Sequence, residues 1–335
     1  MFTVLNHYGG SMKGTFKIIF AWCVSAFISV SSAQDVIERL DPGLDALITA
    51  DAKVVMIADL GVNGTAPTVE GPTWMPDATS PDGGYFLYSD RVKRELTRWS
   101  VNTPLSTAYA FNKLLPDMED GISSSSGTAR DPQGRLVFCS SAVHAVIRIE
   151  KDGTFTRLAN QLNGITLNRP NDLSIKSNGA IFFTDNSRDP TGKAPPAVYL
   201  IKDSKVTTLI TDLDTPNGIA LSPDGKVLYV NNTSNKSIYR YDVLADDSVA
   251  NGRVFVNLSG YTEEGTTDGM RTDSMGNIYD TGPGGVWIIS PEGTLLGRIR
   301  MPEALTNLAF GGTDGKTLFI TGRQKVYYTS VKVPG

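Results

Sequence analysis

Five side chains bearing oxygen donors stand eight residues ahead of a glycine: Ser126 before Gly134, Asn171 before Gly179, Asn217 before Gly225, Asp268 before Gly276 and Asn307 before Gly315. Glu70 holds the corresponding place in a sixth copy, Glu70-Gly71-Pro72-Thr73-Trp74, lengthened by an insertion around 77–80 before its own glycine, Gly83. Two carboxylates joined by amide oxygens, with no thiolate or imidazole, form a hard donor set. Such a set suits Ca²⁺ first and Mg²⁺ or Mn²⁺ next, with Zn²⁺ at the edge of the range. A divalent cation held this way can polarise an ester carbonyl, and a carboxylate at its edge can take a proton from water. Asp268 is the candidate base. The competing reading makes these residues ordinary turn formers, since Asn-Gly and Asp-Gly favour positive φ. Turn chemistry gives no reason for Glu70 to stand where the others carry Asn or Asp.

The elements that position these side chains are legible in the same repeat. Each glycine belongs to a short phrase that feeds an apolar, β-branched run, as in Ser222-Pro223-Asp224-Gly225-Lys226-Val227-Leu228 and Lys176-Ser177-Asn178-Gly179-Ala180-Ile181-Phe182. A polar-Gly pair followed by such residues reads as a tight turn into a strand. The copies recur at roughly 40 to 50 residues, the period of a four-stranded blade repeated about an axis. Six copies predict an all-β, six-bladed β-propeller with a central metal site. Repeat-equivalent residues then come round to one level near the axis, so Glu70, Ser126, Asn171, Asn217, Asp268 and Asn307 should face one another. An early strand over 53–57 is expected to close the last blade beside Lys325-Val326-Tyr327-Tyr328. Trp74, Trp99 and Trp287 are expected to fill the gaps between blades.

Composition narrows the function. The chain has 335 residues with 31 Lys and Arg against 35 Asp and Glu, a formal net charge of −4. No Lys/Arg cluster offers the footprint of a nucleic-acid binder, so a small-molecule partner is expected. Lys13 and Lys17 precede an apolar run from Ile18 to Val30, and Ser31-Ser32-Ala33 supplies small residues for cleavage. Residues 1–33 therefore read as a signal peptide and 34–335 as a single propeller domain, exported to the periplasm or secreted, with no membrane contact after cleavage. Cys139 is the one cysteine beyond that leader and is expected to be a buried strand residue. His144 is the one histidine beyond it, which disfavours a histidine-dyad mechanism.

Several phrases resemble the gluconolactonase and senescence-marker-protein (regucalcin) family, in particular its bacterial gluconolactonase-like branch. They are Glu70-Gly71-Pro72-Thr73-Trp74, Arg169-Pro170-Asn171-Asp172, Pro216-Asn217-Gly218-Ile219-Ala220, Asp268-Gly269-Met270 and Thr281-Gly282-Pro283-Gly284-Gly285-Val286-Trp287. The resemblance covers roughly 65–335 and implies a six-bladed propeller that uses a divalent metal to open sugar lactones, with relatives that hydrolyse phosphotriesters. It also implies metal ligation by Glu70, Asn217 and Asp268, an Asn171 that binds metal or substrate, and an Arg169 that reaches the substrate. Asp172 is expected to brace its loop through backbone bonds. Departures cluster at the substrate lip. Ser126-Gly127-Thr128 replaces the usual Asn-Gly-Leu, Cys139-Ser140-Ser141-Ala142 replaces Cys-Glu-His-Gly, and Asp185-Asn186-Ser187-Arg188-Asp189-Pro190 replaces Asp-Pro-Pro-Tyr-Gly. Loss of groups that read hydroxyls predicts a different or less hydroxylated lactone, met on the substrate side by Ser126, Asn171 and Arg169. The expected function is an exported, divalent-metal-dependent lactone hydrolase. A phosphotriesterase on the same site and a non-catalytic, metal-stabilised binding propeller are the alternatives.

Overall fold

The six repeat glycines, Gly83, Gly134, Gly179, Gly225, Gly276 and Gly315, all take positive φ, between 66° and 89°. In each turn the glycine N–H donates to the carbonyl three residues back, as from Gly179 to Lys176 and from Gly225 to Ser222, both at 2.8 Å. A side chain would strain that left-handed backbone, so the glycine fixes where one strand ends and the next begins. In this computed structural model the described residues are 36–61, 69–111, 125–186 and 193–335. The predicted leader and residues 187–190 of the lip phrase lie outside the described residues.

Six antiparallel meanders follow one another along the chain. Blade 1 comprises Val69–Pro76, Gly84–Asp90, Glu95–Ser100 and Thr103–Ala110, and blade 2 comprises Thr128–Arg130, Leu136–Ser140, Ala145–Ile149 and Phe155–Ala159. Blade 3 is Pro170–Ile175, Ile181–Asp185, Ala197–Lys202 and Lys205–Ile210, and blade 4 is Pro216–Leu221, Val227–Asn232, Ser237–Val243 and Val249–Asn257. Blade 5 is Met270–Thr272, Ile278–Gly282, Gly285–Ile289 and Leu295–Arg300, and blade 6 begins with Leu305–Gly311, Thr317–Gly322 and Lys325–Ser330. The fourth strand of blade 6 comes from the other end of the chain. Val55–Asp59 pairs with Lys325–Ser330, Val55 opposite Tyr328 and Asp59 opposite Lys325, two residues along from the expected 53–57. Among the described residues no helix is long and apolar enough to cross a membrane.

One element was not foreseen. Ile37–Arg39 adds a fifth strand to the outer edge of blade 5. Arg298 holds it there: its side chain is 2 % exposed, bonds Glu38 and Glu263 at 2.8 Å each, and lies over the Trp287 ring at 4.7 Å. A short 3₁₀ helix, Pro42–Ala46, follows, with Asp41 accepting the Gly43 N–H at its start. It delivers Leu44, Leu47 and Ile48 into the packing between blades 5 and 6.

Large apolar side chains fill the wedges between neighbouring blades. Across the closing seam Phe319 stacks on Phe86 at 4.3 Å and on Trp74 at 5.8 Å, with Trp99 edge-on at 6.1 Å. Trp287 is fully buried in blade 5 and Cys139 in blade 2, as the sequence led one to expect. Phe319→Ala should therefore destabilise the protein by about 3–5 kcal/mol, the range for truncating a buried aromatic, read from chemical unfolding. A loss below about 1 kcal/mol would mean that the seam does not depend on this stack.

Candidate functional site

Inner strands of all six blades start at the same end of the axis, and the chain is kinked there. Register slips occur between Glu70 and Thr73, Pro170 and Leu173, Pro216 and Ile219, and Leu305 and Asn307. A bulge of this kind bends a strand and re-aims the side chain within it. Glu70, Asn171, Asn217 and Asn307 sit within or at the edge of these irregular segments. Asp268 precedes its strand and is tied by its N–H to the Thr281 carbonyl at 3.2 Å.

Close approach of the blades at the hub depends on the residue next to each donor. A Cβ on Gly71 would lie 2.0 Å from the Ser126 carbonyl oxygen, one on Gly218 1.9 Å from that of Asp268, and one on Gly269 2.1 Å from Asn307 Cγ. Glycine thus lets Glu70, Asn217 and Asp268 pack against the next blade.

Three of the predicted donors form one hydrogen-bonded set. Asn171 Nδ2 donates to Asn217 Oδ1, Asn217 Nδ2 donates to Thr233 Oγ1 at 3.0 Å, and the Asn217 amide also donates to Asp268. Glu70 joins them electrostatically. Burial pushes the Asp268 carboxyl well above the usual range, and the negative charges of Glu70 and Asp172 push it further. Burial likewise lifts Glu70 to about 7; Asp172 adds to the rise, while Arg91 and Arg169 oppose it. Two like charges in a dry hub stabilise each other's protonated form unless a cation joins them.

Asp172, Asn307 and Arg271 form a brace beneath this set. Asp172 accepts the Leu173 N–H at 2.8 Å, one bond of the backbone bracing expected of it, but its other oxygen reaches across the axis to Asn307 Nδ2 at 3.2 Å and Arg271 Nη1 at 3.4 Å. Asn307 also accepts the Leu308 N–H at 2.8 Å, so both ends of its amide serve the brace. That corrects its expected place among the facing donors. The carboxylate of Asp172 was the stronger acceptor within reach of its N–H groups. Ser126 meets the ring through its backbone, packed on Gly71 and bonded by its N–H to Cys139. Among the described residues its hydroxyl makes no hydrogen bond to the other five.

Sequence reasoning missed Arg271 and the pair Asn231–Asp280. Arg271 stands where the other copies carry Ala129, Ser174, Ala220 and Phe310, and that lone cation among small or apolar residues was the available signal. Asn231 accepts the Gly218 N–H at 2.9 Å and donates both to the Asp268 carbonyl and to Asp280 Oδ1, the latter at 2.7 Å. Burial raises Asp280 well above the ordinary carboxylate range. It stands behind the Asp268 backbone as a support, with no pattern of its own in the sequence.

Among the described residues no three His, Cys, Asp or Glu side chains gather as a metal cluster. The set that does gather is two carboxylates with two amides, hard oxygen donors of the kind that fit an alkaline-earth cation. The buried carboxylates need positive charge to ionise together, so the residues present fit the group.

Comparison with known proteins agrees with this architecture. Residues 68–324 match the family model described as the SMP-30/gluconolactonase/LRE-like region. A gluconolactonase of Zymomonas mobilis is 27 % identical over 323 residues, 89 % of this chain and 87 % of that protein. The structure of a gluconolactonase from Xanthomonas campestris superposes with a TM-score of 0.73 at 28 % identity, covering 89 % of this chain and 96 % of that one. The diisopropyl-fluorophosphatase of Loligo vulgaris is 25 % identical over 76 % of this chain and 85 % of its own length.

A pH dependence arises at the hub. A carboxyl whose folded pKa lies above its unfolded value binds protons more tightly when folded, so its contribution to stability is complete below the unfolded pKa and is lost as pH rises through the folded one. For Glu70 that window runs from 4.5 to about 7. In chelator the melting temperature should fall across that interval, and Glu70→Gln should flatten the fall. A rise in stability over the same interval would contradict the assigned burial.

Proposed function

Because this chain belongs to the SMP-30/gluconolactonase/LRE-like family, we propose that it is a divalent-metal-dependent hydrolase that opens a lactone. The supporting observation is the pairing of Glu70 and Asp268 in a buried hub, hydrogen-bonded through Asn217 to Asn171. Glu70, Asn171, Asn217 and Asp268 would hold the cation, Ca²⁺ first by donor chemistry. When bound, it supplies Lewis-acid polarisation of the ester carbonyl.

The chain's own residues do the rest. Asp268 is the base: its carboxylate, oriented by the Asn217 amide and by Asn231 behind its backbone, takes the proton as water adds to the carbonyl carbon. The ring C–O bond then breaks, and the departing alkoxide collects that proton, giving a hydroxy acid. A bound cation would lower the pKa that burial raises, so it is the orientation of the carboxylate by these bonds that supports the role. Asp172, Arg271 and Asn307 keep the donors in register. Arg169, exposed just ahead of the inner strand Pro170–Ile175, would meet the substrate. The leader read in residues 1–33 supports export to the periplasm or beyond.

Phosphotriester hydrolysis on the same donors is the second reading, favoured by the similarity to diisopropyl-fluorophosphatase. A pH-stat panel of aldonolactones, alkyl lactones and phosphotriesters, run with and without chelator, separates the two, because both hydrolyses release acid and the substrate consumed identifies the reaction. The expected outcome is chelator-sensitive opening of a lactone; a binding propeller would be silent throughout. Asp268→Asn should lower kcat by about 10²-fold or more, the low end for loss of a positioned base, with the melting temperature retained. Full activity in that variant would remove Asp268 from the mechanism.

A further inference from the structure

The hub opens onto a rim whose charges are unevenly matched. Arg169 immediately precedes the inner strand Pro170–Ile175, and Lys193 lies in the connection leading to Ala197–Lys202, both at the end of blade 3 where the donors sit. Arg169 is exposed, yet its origin is fixed. The fully buried Asp185 carboxylate accepts the Arg169 N–H on one oxygen and the Asn168 N–H on the other, each at 2.7 Å. The guanidinium therefore projects from an anchored backbone.

Lys193 is fixed differently, through His144 of blade 2. His144 Nδ1 lies 2.5 Å from the Asn168 carbonyl oxygen, and Lys193 Nζ lies 3.3 Å from His144 Nε2. A carbonyl oxygen only accepts, so the imidazole carries its proton on Nδ1 and leaves Nε2 as the acceptor for the ammonium. This chain ties Lys193 to the residue next to Arg169. Thr166 adds a second tie, accepting the Ala194 N–H at 2.8 Å. Among the described residues no carboxylate lies within ion-pair distance of either cation.

Two other rim cations have partners. Lys236 donates to the Tyr261 carbonyl at 3.1 Å, and Arg323 faces Glu264 at 3.6 Å. The acids of the opposite side are engaged as well, Glu263 with Arg298 at 2.8 Å and Glu303 with the Tyr327 hydroxyl at 2.6 Å. Two anchored cations on adjoining segments, with no carboxylate among the described residues at ion-pair distance, are complementary to an anion.

We propose that the rim selects lactones carrying a separate anionic substituent, a phosphate, sulfonate or carboxylate, seated between Arg169 and Lys193 while the ester faces Glu70 and Asp268. This rests on the lactone-opening reading, and the test separates the two. Initial rates with glucono-1,5-lactone and its 6-phosphate, corrected for buffer hydrolysis, should give a kcat/KM at least tenfold higher for the phosphate. Lys193→Gln should lower that ratio about tenfold, the scale of one charge-assisted contact, and Lys193→Arg should restore most of it. Calorimetric binding of glucitol 6-phosphate against glucitol supplies a readout without turnover. Tighter binding of the phosphate that depends on Lys193 supports the anion site even if neither lactone is opened, in which case the lactonase reading is what fails. Equal or better use of the neutral lactone, or a ratio and a glucitol 6-phosphate affinity indifferent to Lys193→Gln, overturns the anion site and leaves the lactonase reading standing.

Discussion

Crowding of Glu70, Asp172 and Asp268 at a buried hub is the constraint on which the rest of the structure depends. Three carboxyls brought from blades 1, 3 and 5 are all displaced upward by burial. Each can be ionised there only where positive charge or hydrogen-bond donors meet it. The protein solves this separately for its members. Asp172 is met by Arg271, Asn307 and the Leu173 N–H. Asp268 is met by the Asn217 amide, and Glu70 by the fields of Arg91 and Arg169. That leaves the Glu70–Asp268 pair electrically unfinished, and it faces the end of the axis where the strands are bulged.

Local backbone features serve that arrangement. The positive-φ turn glycines set the length of every inner strand, the bulges turn the first donors inward, and Gly71, Gly218 and Gly269 let neighbouring blades touch at the axis. The brace of Asp172, Asn307 and Arg271 then crosses the hub between blades far apart in sequence. A propeller closed by a strand from its own N-terminal region, and clamped again by Arg298 on Glu38, resists the splaying that would separate the donors. Rigidity matters because a site assembled from distant segments is only as well defined as the packing between them.

Much of this was readable from one recurring phrase. Period and turn chemistry gave the blade count, the all-β class and the closing strand, because those follow from local backbone preference repeated six times. The donors Glu70, Asn171, Asn217 and Asp268 were legible as a level because radial repetition converts sequence offset into position. Less legible were features that break the repeat. Ile37–Arg39 is three residues long with no turn signal of its own, and its anchor, Arg298, is 260 residues away in the chain. Asn307 shares the offset of the metal-type donors yet bends to Asp172, since periodicity fixes where a residue starts and competition among acceptors decides where its side chain ends. Arg271 and Asp280 work through tertiary contacts that no spacing encodes.

The central claim is that Glu70 and Asp268 share one cation in the buried hub, and calorimetric titration of Ca²⁺ in two buffers of different ionisation enthalpy tests it most directly. Because the carboxyls are held protonated by burial, uptake should expel protons. The account predicts, at about pH 6, one ion per chain with proton release, both lost when Glu70 and Asp268 are replaced together by Gln and Asn. Absence of binding, or binding that releases no protons and survives that double replacement, would contradict it.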